Sequence, residues 1–376
     1  MKRVFLFGSQ ITVGGAQRVL LDQADWFWDR GCDVRAVFFY DKDGSLREWS
    51  LKHPYPIAAL SVYQRGAGLG KNFSGLFHGF IHLISMLSRV RPDYFESFTH
   101  DANLMGISAA WLCGVKGRFA THHGQFVGQS SLARKLHTWV INSRMTTKLI
   151  CVSERARRQA VSEGIREDKI EVIFNGVKPV EKDPAVREEV RKELGLRDTD
   201  VMILTVGRLT PEKAQKHLVT AAGHLVPEHP EYRFFIAGEG PCRQELEAQI
   251  AASGLNERFT LLGNRPDVDR LLNAADLFVL YSDTEGMPVS LMEAMSAGLP
   301  CIASDLEGIA QLVPDERYGT LIPAGDPELL AETIKKTLDD KKGSEAKGSA
   351  AARFIRENFS IDSSCRRYED LFKKAG

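Results

Sequence analysis

From residue 201 onward the chain alternates between short apolar runs and longer stretches whose apolar positions recur at helical spacing. Val201–Val206, Tyr232–Ala237, Phe259–Leu262, Leu277–Tyr281 and Cys301–Ser304 read as buried strands. Helices are expected from Gln215, from Cys242, over Val268–Ala275 and over Val289–Ala297. The amino-terminal end has the same rhythm. Val4–Phe7 is a strand, a glycine-bearing loop ends at Gly14-Gly15, a helix runs from Ala16 to Arg30 and stops at Gly31, and Asp33–Tyr40 is the next strand. Such alternation builds parallel sheets covered by helices, so the fold class is α/β. After Val177 the segment KPVEKDPAVREEVRKELGLRDTD turns polar and carries two prolines, the mark of a linker leading into a surface helix. The expected division is therefore 1–178 and 179–358, with a final helix in 359–376 returning to the first domain.

The segment Asp276–Ser304, DLFVLYSDTEGMPVSLMEAMSAGLPCIAS, carries the strongest chemical signal. A strand there runs into a Glu285-Gly286 loop, and Pro288 fits the first position of an apolar helix closed by Gly298. Glu285 and Glu293 stand in otherwise apolar surroundings. A buried carboxylate needs a cation or a set of hydroxyl donors. The free N–H groups of Val289, Ser290 and Leu291, at the positive end of the helix dipole, make an anion site at the carboxyl end of a strand. Glycine and charge also cluster after the neighbouring strands, at Gly207-Arg208, Gly238-Glu239-Gly240 and Gly263-Asn264-Arg265. Ligands of wound parallel sheets bind at those ends.

Composition narrows the classes. The 376 residues, 43% hydrophobic and 26% charged, suit a globular chain with two cores. Six scattered cysteines show no metal-ligand spacing, as in a reduced compartment, so no structural metal is expected. The start MKRVFLFGSQ has too short an apolar run for a signal peptide, and no run is long enough to span a membrane. Net charge is zero but unevenly placed. Residues 1–178 hold 24 Lys and Arg against 15 Asp and Glu, and the remainder holds 25 against 34. A basic amino-terminal half fits an anionic partner there, or an attraction between the halves. It lacks a nucleic-acid-binding motif, and no nucleic acid is expected.

Taken together, GGAQRVLLDQADWFWDRG, THHGQF, ICVSERARRQAVSEGI, IEVIFNGV, VGRLTPEK, FFIAGEGP, LLGNRPDVDRLLNAADLFVLYSDTEGMPVSLMEAMSAGLP and GTLIPAGDPELLAE resemble the retaining GT-B glycosyltransferases of the large family four (glycosyl transferases group 1). The resemblance covers nearly the whole chain. It implies a GT-B fold, two Rossmann-like domains facing across a deep cleft, and transfer of a hexosyl unit from a UDP- or GDP-sugar to a glycan or lipid-linked acceptor. It also implies that Arg208 and Lys213 pair with the diphosphate, whose charge grows as the glycosidic bond breaks. Glu285 then faces the donor sugar, Gly286, Met287, Pro288 and Val289 contact it or the phosphates, and Glu293 accepts from the ribose hydroxyls. The Gly263–Arg265 loop, with Asn264 and Arg265, lies by the base. In the first domain, Gly14 and Gly15 allow close backbone approach, and His123 bonds the donor sugar, with His122 the adjacent contender. One departure stands out: the family follows its lysine with glycine, whereas here Lys213 precedes Ala214-Gln215-Lys216, so the loop is open to a different shape and Lys216 to a share of the phosphate role.

The resemblance implies front-face chemistry in which the leaving phosphate takes the acceptor proton. With Arg208, Lys213 and a helix terminus supplying positive potential, no metal or other cofactor is expected. Asp41-Lys42-Asp43 imitates a metal-binding Asp-x-Asp motif but sits before Gly44, where a turn is the simpler reading. Two segments bear on the acceptor. Phe73, Leu76, Phe77, Phe80 and Ile84 recur at helical spacing, for which core packing is the favoured account. Leu132, Leu136, Trp139 and Val140 form a stripe beside Arg134, Lys135, Arg144 and Lys148 that suits core and anionic lipid equally. The expected location is cytoplasmic, with peripheral attachment to the inner membrane face. The rival readings are a sugar-nucleotide 2-epimerase of the same fold and a non-catalytic nucleotide-sugar or glycan binding subunit.

Overall fold

The structure, a computed structural model, describes residues 1–11, 14–41, 44–60, 62, 69–123 and 131–375. The chain divides into two compact units, Met1–Gly176 with Ile361–Gly376, and Val177–Ser360.

In the first unit the order is β1 (Arg3–Ile11), α1 (Gly15–Asp29), β2 (Asp33–Asp41), α2 (Leu46–Lys52), β3 (Ile57–Ala59), α3 (Leu69–Val90), β4 (Tyr94–Phe98), α4 (His100–Leu112), β5 (Gly117–His122), α5 (Ser131–Asn142), β6 (Lys148–Cys151), α6 (Glu154–Ser162) and β7 (Ile170–Val172). The seven strands form a parallel sheet in the order β3-β2-β1-β4-β5-β6-β7. The interior strand β1 is buried on both faces through Val4, Phe5, Leu6 and Phe7, which is why it reads as a continuous apolar run. Phe5, Phe7, Phe95, Leu83, Leu87 and Ile107 are among the residues of one core layer. Gly31 stops α1 with φ +76°, a conformation that costs glycine little.

The second unit continues with α7 (Pro184–Glu193), β8 (Val201–Val206), α8 (Lys216–Leu225), β9 (Tyr232–Ala237), α9 (Arg243–Ala252), β10 (Phe259–Gly263), α10 (Val268–Ala274), β11 (Leu277–Leu280), α11 (Val289–Ser296), β12 (Cys301–Ser304), α12 (Glu307–Ala310), β13 (Thr320–Ile322), α13 (Pro327–Asp339) and α14 (Lys341–Asn358). Its six-stranded parallel sheet runs β10-β9-β8-β11-β12-β13. Strand order reverses beside β8, the switch point at which wound sheets open a crevice. The last helix, α15 (Ile361–Ala375), belongs to the first unit, where Phe372 packs against Phe27, Tyr94 and Phe119.

The units part at Gly176/Val177 and Ser360/Ile361, about two residues from where the polar linker alone would put them. Val177 is buried, and its N–H donates to Phe359 O at 3.0 Å, so this apolar residue already belongs to the second unit. Pro288 also differs from expectation. It is the cap residue, with ψ 113°, and α11 starts one residue later at Val289.

Candidate functional site

At the carboxyl edge of the second sheet, backbone bonds stitch successive loops together. Gly207 N donates to Ala237 O, Leu209 N to Glu239 O and Cys242 N to Leu209 O, each at 3.0 Å. Glycine is required for this closeness. A Cβ on Gly238 would lie 1.9 Å from Gly207 O, and one on Gly240 2.2 Å from Leu209 O. Side chains longer than a hydrogen would push the loops after β8 and β9 apart.

The loop after β8 explains the departure at Ala214. A single 3₁₀ turn, Pro211–Lys213, ends in Ala214 with φ 47° and ψ 30°, so alanine holds the left-handed conformation that glycine adopts freely. Gln215, buried just ahead of α8, donates its Nε2 to Arg208 O at 2.8 Å and fixes the arginine's backbone. The loop thus holds an alanine in a left-handed conformation, with local strain. Lys216 follows as the first, exposed residue of α8.

Across this loop, Lys213 Nζ lies 2.6 Å from Glu285 Oε1. Glu285 is buried and Lys213 largely shielded, with 6% and 18% of the side chains exposed. Ser282, also buried, donates its hydroxyl to the same oxygen at 2.8 Å. Asp283 N reaches Glu212 O at 2.9 Å, a second tie between the loops after β8 and β11. Glu285 is therefore a buried carboxylate whose cation is Lys213. Arg208 is mostly exposed and touches Glu212 at 3.3 Å. The first intrahelical bond of α11 is Met292 N to Pro288 O, which leaves the N–H groups of Val289, Ser290 and Leu291 as first-turn donors.

Two expectations change, and Arg265 gains partners. Glu293 is only half-buried, because the inward face of α11 is taken by Leu291, Met292, Ala294 and Met295. Arg265 has its guanidinium engaged by Asp267 at 2.8 and 2.7 Å and by Glu193 at 2.8 Å, contacts that raise its pKa. These contacts hold the arginine at the end of the Gly263–Arg265 loop. In the first segment weighed for the acceptor, core packing fails for part of the helix: Leu76, Phe77 and Ile81 are exposed, whereas Leu83 and Leu87 are buried and Phe80 and Ile84 pack against the core. The side chain of Phe73 lies outside the described residues. In α5, Leu132, Leu136 and Trp139 are exposed and only Val140 is buried.

Residues that sequence reading passed over are Ser282, Gln215 and Gly308. A Cβ on Gly308 would meet Glu285 O at 2.2 Å and Gly286 O at 2.5 Å, so this glycine supports the glutamate loop from below. The role of Gly308 shows only in the contact between neighbouring strand ends, and those of Ser282 and Gln215 only in the folded shape of their loops.

In the first unit, His123 is half-buried just beyond β5, its ring stacked on Phe98 with centroids 5.9 Å apart. Burial, then the neighbouring His122, push its pKa down to about 4, so the ring is neutral. Gly14 precedes α1 in an extended conformation open to any residue, and a Cβ there would meet only the end of Gln17. Its glycine is thus not demanded by the chain's own geometry; Gly15 opens α1. The Asp41 carboxylate accepts from Gly44 N, Ser45 N and Leu46 N at 3.0–3.1 Å, a turn role; Lys42 and Asp43 lie outside the described residues.

Residues 13–181 match the family model for Glycosyltransferase Family 4, and residues 186–354 match that for Glycosyl transferases group 1. The UDP-Gal:alpha-D-GlcNAc-diphosphoundecaprenol alpha-1,3-galactosyltransferase of Escherichia coli is 32% identical over 340 residues, 88% of this chain and 86% of that protein. The N,N'-diacetylbacillosaminyl-diphospho-undecaprenol alpha-1,3-N-acetylgalactosaminyltransferase of Campylobacter jejuni is 29% identical over 277 residues, 70% of this chain and 72% of that one. Among solved structures, Anabaena HepE in complex with UDP-glucose superposes with TM-score 0.86 at 21% identity, over all of both chains. Two wound parallel sheets, a strand-end site built around Glu285 and Lys213, and these matches along the chain make it a member of the group 1 glycosyltransferases of GT-B fold.

Proposed function

We propose that this chain transfers a hexosyl unit from a UDP-sugar to a polyprenyl-diphosphate-linked glycan, with retention at the anomeric carbon, in the synthesis of a cell-surface glycan. The observation that carries the proposal is the 2.6 Å contact between Lys213 and Glu285 at the switch-point edge. A cation and a carboxylate held together there are arranged to separate onto a ligand. The diphosphate takes Lys213 and Arg208, and Glu285 turns to the sugar ring where positive charge develops. The first-turn N–H groups of α11 bind the same phosphates, main-chain groups of Gly286 to Val289 hold the sugar, and Glu293 accepts from the ribose. Asn264 lies by the base on the loop that Arg265 braces. Gly14 and Gly15 give backbone access to the donor, and the neutral His123 bonds its sugar. The departing phosphate removes the acceptor proton.

UDP is preferred to GDP because HepE was solved with UDP-glucose and the E. coli relative is named for UDP-Gal. The lipid-linked acceptor rests on the names of the two bacterial relatives. With lysine, arginine and a helix terminus supplying positive potential, turnover is proposed to need no divalent ion. Loss of activity in EDTA that Mg²⁺ or Mn²⁺ restores would count against this.

A thermal-shift panel of UDP-, GDP- and ADP-sugars tests the donor, since a ligand bound only by the folded state raises apparent stability. Anomeric coupling constants of the product from an undecaprenyl-diphosphate-linked sugar then test acceptor and stereochemistry. Sugar-nucleotide turnover without acceptor, yielding a C2 epimer, would favour the epimerase reading. No turnover at all, with binding retained, would favour a binding subunit.

The acceptor proposal extends to the first unit's surface. Helices α3, α4 and α5 pack side by side. They expose Leu76, Phe77, Ile81, Trp111, Leu112, Leu132, Leu136 and Trp139, with Arg134 and Lys135 also exposed on α5. No helix among the described residues is long and apolar enough to cross a membrane. We assign this face to peripheral contact with an anionic membrane surface on the cytoplasmic side. Absence of flotation with anionic vesicles at low salt would remove the membrane contact and leave the chemistry standing.

A further inference from the structure

At the carboxyl ends of β4 and β5 the first unit gathers imidazoles around one carboxylate. β4 is followed by Thr99, whose φ of 81° and ψ of 156° lie where β-branched residues are rarely found. Strain of this kind is held only where the surroundings enforce it, and it delivers His100 to the start of α4. The His100 ring meets that of His122, the last residue of β5, with centroids 4.8 Å apart and planes at 85°. His122 Nε2 lies 3.4 Å from Oε2 of Glu163, the residue that follows α6. One donor atom from each of these three side chains lies within 4.8 Å of the other two. His122 is fully buried and His100 nearly so, while Glu163 keeps 18% of its side chain open to solvent.

The chemistry of this donor set is specific. Two nitrogens and one carboxylate oxygen suit zinc and its neighbours in the first transition row, whereas magnesium and calcium take oxygen ligands. Around a tetrahedral ion with bonds of about 2.1 Å, ligand atoms sit about 3.4 Å apart. The His122–Glu163 pair is already at that spacing. The widest pair, which includes His100, has about 1.4 Å to close by side-chain adjustment around the ion. A supporting contact is in place: Gln159 Nε2 donates to Glu163 Oε1 at 2.9 Å, orienting the carboxylate as outer-shell partners of metal ligands do.

We propose that His100, His122 and Glu163 form a three-ligand site for a divalent transition metal of the zinc class. The site adjoins the proposed donor contact at His123 but does not rest on that reading, since the proposed transfer calls for no metal and its cations are Arg208 and Lys213.

The test uses the full-length protein stripped with EDTA and titrated with Co²⁺, then with Zn²⁺ in competition. Expected are one equivalent of Co²⁺ with a visible d–d spectrum lacking thiolate charge transfer, displacement by Zn²⁺, and a rise in Tm with Zn²⁺ but not with Mg²⁺. Glu163→Gln, at the most exposed ligand, should weaken Co²⁺ binding about tenfold or more. His100→Asn provides a second variant with the same expectation. The proposal is overturned by the absence of a saturable Co²⁺ site. It is equally overturned by a thiolate spectrum, or by an affinity unchanged in both variants when their circular dichroism matches the parent.

Discussion

Glu96 offers a sharp test of the physics inside the first sheet. It sits in the middle of β4 with no exposed surface, and Gln23 Nε2 donates to its Oε2 at 2.5 Å. Its Oε1 has no hydrogen-bond partner among the described residues. Burial pushes its pKa from 4.5 up to about 8, against the smaller opposing effect of Gln23. A folded-state pKa above the unfolded value means that the native state holds a proton which the unfolded chain releases. Stability from this group is complete below pH 4.5 and is lost as pH rises towards 8. At about 1.4 kcal/mol per pH unit, the full loss is roughly 5 kcal/mol, of which roughly 3 kcal/mol has gone by pH 7. Glu96→Gln keeps the shape and the neutrality but cannot ionise. All five tryptophans, Trp26, Trp28, Trp49, Trp111 and Trp139, lie in the first unit. Urea unfolding followed by tryptophan fluorescence therefore reads this unit alone. The variant should gain stability over the parent by roughly 3 kcal/mol between pH 4.5 and pH 7. Parallel stability-versus-pH curves for the two proteins would refute the reasoning, because other titrating groups are common to both.

Three further outcomes are expected. Lys213→Met removes the cation from a buried carboxylate and from the proposed diphosphate site, and should lower kcat by about 10²–10³ with a smaller change in KM, read by initial rates. A variant within twofold of the parent would exclude Lys213 from the chemistry. Ala214→Gly relieves a left-handed alanine at about 1–2 kcal/mol while adding about 0.5–1 kcal/mol of unfolded-state entropy, so a net gain of up to about 1.5 kcal/mol in the second unit is expected by circular dichroism in urea. Gly308→Ala drives a methyl group into the Glu285 and Gly286 carbonyls and should cost about 1–3 kcal/mol together with most of the activity; an unchanged Tm would show that the loop can yield.

The sequence by itself determined the two-sheet architecture. Continuous apolar runs such as Val4–Phe7 and Leu277–Leu280 can be satisfied only by burial on both faces, and helical spacing between them forces parallel connections. It also marked the strand-end loops, because Gly207, Gly238 and Glu285-Gly286 have residue types that make poor strands and good ligand cradles. Tertiary structure decided what each side chain does there. Lys213 and Glu285 are 72 residues apart, and only the adjacency of β8 and β11 brings them to 2.6 Å. The half-burial of Glu293, the engagement of Arg265 by Glu193 and Asp267, and the exposure of Leu76 and Phe77 were equally out of reach, because helical spacing fixes which residues share a face but not what covers it. The histidine and carboxylate cluster follows the same rule. His100, His122 and Glu163 have no local spacing that speaks of a metal, and they meet because β4 and β5 end side by side and the end of α6 packs against them.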